Sequence, residues 1–274
     1  MSALIQTLRS DYIEAQLFVP AGRSFFTNLG KAVAMFEFGS QLDDVTKMFG
    51  RRFTNLLEGR PHYFLPERTP ARTRDFLRSQ RLTLESMLGG KLKLGSSEKH
   101  VETRDGRVIP FSMMSSGHQE LLPLLLALEE YSGRNAMDKD PSVDVLYIEE
   151  PEAHLFPGAQ SALVQHIASV SNFIRDRSRF FITTHSPYVL SILNNLVKAY
   201  TVASESDDKA SLVSKILPRN TWIAPGALSA HALHDGVLKS IKDDSGLIDG
   251  SYLDAISDDI SSVFFRLLET DVGE

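Results

Sequence analysis

The second half of the chain carries the clearer pattern of apolar and polar positions. VDVLYI (143–148) is a run that does not alternate, as expected of a strand buried on both faces, and it ends in two carboxylates, Glu149 and Glu150. A loop, PEAHLFPG, leads into a helical stretch from Ala159 to Ile174, with Leu163, Val164, Ile167 and Ile174 on its apolar side. RFFITT (179–184) repeats the strand pattern and ends at His185. Pro187 then opens a helix containing Val189, Leu190, Ile192, Leu193 and Leu196, and VKAYTVAS (197–204) reads as a third strand. This alternation of strands and helices predicts a parallel sheet covered on both faces. Such sheets place their chemistry just beyond the carboxyl ends of neighbouring strands.

The first hundred residues are fainter. YIEAQLFVP (12–20) reads as a short strand stopped by Pro20, with Ala21, Gly22 and Arg23 in a turn. Residues 24–48 carry scattered aromatics and are expected to be helical at first, with a break around Gly39 and Ser40. The segment 51–73 is rich in Arg, Pro and aromatics. A second helical pattern runs from Thr73 to Met87 and stops at Gly89 and Gly90. HVETR and RVI flank Asp105-Gly106, a strong hairpin signal. Behind FSMMSSGHQE lies a leucine-rich helix, bent or started by Pro123 and expected to end near Ser132 and Gly133. Near the end, residues 251–269 are helical in rhythm, with Leu253, Ile256, Ile260, Phe264 and Leu268 on one side.

Composition narrows the function classes. A chain of 274 residues without cysteine needs no disulfide, and it has no thiol nucleophile or thiolate metal site. Its net charge of −6 excludes a uniformly basic nucleic-acid surface but leaves room for a local patch. Asp11 precedes any long apolar run, so no secretory signal is expected. The most apolar stretch, LLPLLLAL, has eight residues where a membrane span needs about twenty. The expectation is a cytoplasmic protein with no membrane partner.

Three clusters carry candidate chemistry. Adjacent carboxylates at a strand end repel unless a cation or a network uses them. In a nucleotide hydrolase one carboxylate of such a pair coordinates Mg²⁺ while the next polarises the attacking water. The alternative is a strand emerging into solvent. His185, flanked by Thr184 and Ser186, stands at the equivalent end of the next strand, where it would sense a phosphate or simply precede a helix cap. Ser115, Ser116 and Gly117 precede a helix, which makes either an anion-binding surface or an ordinary serine cap. All three clusters suit one ligand, a polyphosphate with magnesium.

FSMMSSGHQELL resembles the signature segment of ABC-type ATPases, in the form used by RecF/SMC-like and OLD-like (AAA_15/AAA_21-like) relatives. VLYIEEPEAHLFP resembles their Walker B strand and D-loop, and FFITTHSPYVL their switch-histidine segment. LFVPAGRSF matches more loosely. The resemblance implies an α/β fold of the P-loop NTPase (RecA/ABC-like) kind, with a parallel sheet, helices on both faces and a helical signature subdomain. By the same resemblance, Ser115, Ser116 and Gly117 would meet ATP held by an opposite head, Glu149 would take Mg²⁺, Glu150 would be the general base and His185 the γ-phosphate switch. Phe156 stands where a transporter-like D-loop has aspartate. The implied organisation is a helical and linker region at 1–99, an ATPase-like core at 100–204 and an α-rich extension at 205–274.

The phosphate-binding loop G-x-x-x-x-G-K-S/T occurs nowhere in the sequence, so the Walker A part is expected to be missing. The main reading is a partial ATPase head that binds and hydrolyses ATP only with a P-loop-bearing segment or partner. Its oligomer, with itself or another chain, would form through an ATP sandwich, with an effector or DNA as a further partner. The alternative is a pseudo-ATPase acting as an interaction module in DNA repair or anti-phage defence. The acidic pairs Asp207-Asp208, Asp243-Asp244 and Asp258-Asp259 read as solvated acids rather than a nuclease site.

Overall fold

The computed structural model describes residues 13–29, 42–58, 69–94, 99–137, 143–174, 178–250 and 261–268. The expected break at Gly39 and Ser40 and the first half of the helix at 251–269 lie outside them. The chain divides into two compact units, Met1–Thr184 and His185–Glu274.

The first unit is an α/β fold. Its parallel sheet has the order β1 (Ile13–Val19), β5 (Val143–Glu149), β6 (Ser178–Thr183), with Leu17 paired to Leu146 and Glu149 to Thr183. Central β5 is buried from Val143 to Leu146 and again at Ile148, as its unalternated sequence requires. Helix α1 (Ser24–Leu29), α2 (Asp44–Leu57) and α3 (Ala71–Met87) come between β1 and a small antiparallel sheet of β2 (Gly90–Lys93), β3 (His100–Thr103) and β4 (Val108–Pro110). Gly89, at φ +73, ends α3 where the sequence placed its stop. The Asp105-Gly106 turn joins β3 to β4, with Gly106 at φ +84.

Helix α4 (Ser116–Met137) is the centre of the core, and α5 (Pro157–Phe173) packs against it and against β6. Leu121, Leu122 and every residue from Leu124 to Leu128 are buried, which is the signature of a helix surrounded on all sides. Pro123 has no N–H to offer the carbonyl of Gln119, and the Thr27 hydroxyl donates to that carbonyl instead, at 2.8 Å. The acids farther along α4 are matched from neighbouring helices: Glu130 by Arg52 at 2.5 Å and Glu129 by Arg81 at 2.8 Å. The helix does not stop at Ser132 and Gly133. A mid-helix glycine costs only about 1 kcal/mol, and burial of Tyr131 and Asn135 around it outweighs that.

The second unit contains α6 (Pro187–Ala203), α7 (Asp207–Ser214) and a hairpin of β7 (His231–His234) and β8 (Val237–Ser240), with residues 261–268 helical. The strand expected at 197–204 is therefore wrong: those residues continue α6, and the third strand of the parallel sheet is β1. Leu196, Val197 and Ala199 are buried at helical spacing with Val189 and Leu190, and packing overrides the mild helix penalty of β-branched residues. Thr201 even bonds back to the Val197 carbonyl at 3.0 Å. Asp235-Gly236, with φ of 49° and 75°, forms the turn of this hairpin. Asn194 ties α6 to the later chain through paired 2.7 Å bonds with the backbone of Ile248.

Candidate functional site

The carboxyl end of β5 is built around Arg23, from the turn after β1. Arg23 is fully buried. Its guanidinium donates to the carbonyls of Pro20 (2.9 Å), Glu149 (2.7 Å), Glu150 (3.1 Å) and Glu120 (3.1 Å). The backbone N–H groups of Arg23 and Ser24 donate to the two oxygens of the buried Glu120 carboxylate, at 2.8 and 3.0 Å. Burial pulls the Arg23 pKa down, and the nearby charges of Glu120, Glu152, Glu150 and Glu149 act against that pull. The loop after β1, the start of α4 and the end of β5 thus meet at one cation.

The acid pair sits directly on this hub. Glu149, level with Thr183, is half-buried and accepts from the Ala21 N–H at 3.2 Å. Glu150 donates its N–H to the Thr183 carbonyl at 2.9 Å and has φ 41, a left-handed backbone that a non-glycine residue adopts at a cost of about 1 kcal/mol or more. Farther round the loop, Glu152 accepts from the Thr184 hydroxyl at 2.6 Å, and His154 is again left-handed at φ 60.

The start of α4 reaches the same loop. A side chain on Gly117 would put its Cβ 2.8 Å from the His154 carbonyl oxygen, so glycine here permits close packing of helix against loop. Ser115 and Ser116 are exposed. Ser115 caps α4, its hydroxyl accepting from the His118 N–H at 3.3 Å, so the ordinary role of a cap is met within the chain. His185 is exposed and opens the second unit, just ahead of Ser186, whose hydroxyl accepts from Val189 N–H at 3.4 Å and caps α6. Phe156 is 85% exposed at the end of the loop.

The structure therefore brings Glu149, Glu150 and Gly117 to one loop, and His185 is described with the other unit. Arg23, Glu120 and Glu152 were missed by sequence reasoning. The signals for them were a lone glutamate just ahead of a leucine run and an arginine after a Pro-Ala-Gly turn, both weak. Among the described residues no group of three or more His, Asp or Glu is placed to hold a metal ion. One oxygen of Glu149 already faces a backbone amide.

No curated protein matches the sequence. The family model described as "AAA domain, putative AbiEii toxin, Type IV TA system" matches residues 23–191, more than half of the chain. The match begins at Arg23 and takes in α4, the acid pair and His185. This chain belongs to the AAA_21 family of AAA domains.

Proposed function

We propose that the chain is an interaction module of a toxin–antitoxin or anti-phage defence system, built on an AAA-type fold and without ATP turnover of its own. The observation that carries this reading is the family match over residues 23–191, whose description names a toxin and its toxin–antitoxin system. Beside that match, buried Arg23 holds the acid-pair loop by the backbone carbonyls of Glu149 and Glu150, and one oxygen of the Glu149 carboxylate accepts from the Ala21 amide. No phosphate-binding loop exists in the sequence to preorganise a triphosphate beside them. The family description supplies the defence setting.

A second reading is favoured by the left-handed Glu150 and the exposed Ser115 and Ser116. In it, the chain is a head of the RecF/SMC-like and OLD-like kind, and a P-loop-bearing partner brings ATP and Mg²⁺. IEEPEAHL and TTHSP are the strings behind that finer placement.

Calorimetry and a phosphate-release assay on the purified chain test the first reading. Weak ATP–Mg²⁺ binding and background release are expected. Turnover that disappears in Glu150→Gln would overturn it.

A further inference from the structure

Beside the start of α4, a groove of about 570 Å³ opens between the β2–β4 sheet, the end of α3 and the segment before Ser115. Its walls are apolar, formed by Leu88, Val101, Ile109, Met113 and Met114. Leu88 and Val101 are buried and fix the floor, whereas Met113 is 75% exposed. Exposed Met113 and buried Met114 both line the groove, and a thioether suits an aromatic ring, since sulfur packs favourably on ring edges and the methionine side chain adapts to shape.

The polar groups of the groove are mostly donors. Ser115 and His118 come from the start of α4, and Arg104 and Arg107 from the β3–β4 turn. Asp105 is matched by Arg107 at 2.8 Å, which leaves Arg104 as the excess charge. A guanidinium with a hydroxyl and an imidazole favours an anionic head group. One excess cation is too little for a polyphosphate, and one already paired carboxylate is too little for a metal ion.

We propose that this groove binds a small aromatic anion, with a flat ring against Met113, Met114 and Ile109 and a single phosphate or carboxylate at the Arg104–Ser115 rim. The site shares Ser115 with the segment discussed above but lies apart from the acid pair. It goes beyond the proposed role, because it needs neither ATP nor its hydrolysis.

The test uses the full chain with ¹³C-labelled methionine methyl groups and phenyl phosphate as the probe. The Met113 and Met114 resonances should shift and saturate, while the other methionines stay in place. Phenol alone and inorganic phosphate alone should leave both resonances unmoved at the same concentration. Arg104→Glu, at an exposed position, should weaken binding at least tenfold with an unchanged melting temperature. Ile109→Trp should fill the groove and abolish the shift. The proposal is overturned if neither methionine moves, if phenol or phosphate alone reproduces the shift, or if Arg104→Glu binds as well as wild type. A failure of the ATP-turnover expectation would leave each of these outcomes unchanged.

Discussion

Arg23 shows how much of this fold hangs on one side chain. Its guanidinium donates four hydrogen bonds to carbonyls from three segments and lies 3.5 Å from the Glu120 carboxylate. Arg23→Met should destabilise the first unit by about 3–5 kcal/mol, because Glu120 would keep a buried charge without its cation. Urea unfolding of Arg23→Met, Glu120→Leu and the double variant gives the check: the double variant should lose clearly less than the sum of the singles. His166 offers a second test at this scale. It lies on α5, 4% exposed, and burial depresses its pKa from 6.5 to about 4. The unfolded chain therefore takes up this proton more readily than the folded one. The stability that neutral His166 permits is complete above pH 6.5 and falls as the pH drops toward 4, by roughly 3 kcal/mol in all. Denaturation midpoints of wild type and His166→Leu across that window should converge at the acid end if the wild type is the more stable at pH 7. A pH-independent difference between the two would remove His166 as the cause.

Helix α4 is held at its start by two contacts one turn apart, Gly117 against His154 and Glu120 against Arg23. Gly117→Ala should cost about 1–3 kcal/mol, because the nearest atom is backbone and has little room to yield; thermal melts beside an exposed control such as Gly158→Ala, which meets nothing within 4 Å, measure it. Thr27→Val, close to isosteric, should cost a similar 1–3 kcal/mol by leaving the Gln119 carbonyl unbonded at Pro123, and Thr27→Ser should recover most of it. The elements themselves were largely legible. Strands β5 and β6 show as apolar runs, α3 ends at its glycines, and Asp105-Gly106 announces its hairpin. Val197, Thr201 and Val202 misled because local preference there favours a strand while the packing of α6 demands a helix. The hub was illegible for a different reason. Arg23 meets Glu120 across 97 residues and Glu149 across 126, and no local pattern reports such a meeting.

At the scale of the whole molecule, the first unit joins a part assembled from neighbours in sequence, α3 through α4, to a sheet whose first strand waits for its partner. Ala21 touches Glu149 across 128 residues, with the hairpin, α3 and α4 in between. Closing so long a loop carries an entropy cost that shorter contacts avoid, so the near-neighbour contacts should form first. Pulse-labelled hydrogen exchange during refolding should find amides of α3, β3 and α4 protected ahead of those in β1; simultaneous protection would contradict this order. On the ribosome the delay has a definite size. At about 5–20 residues per second, some 6–25 seconds separate the synthesis of β1 from that of the end of β5. Through that interval Leu17 and Val19, both buried in the finished fold, have no strand to join, and β1 is an apolar segment of the nascent chain open to a chaperone.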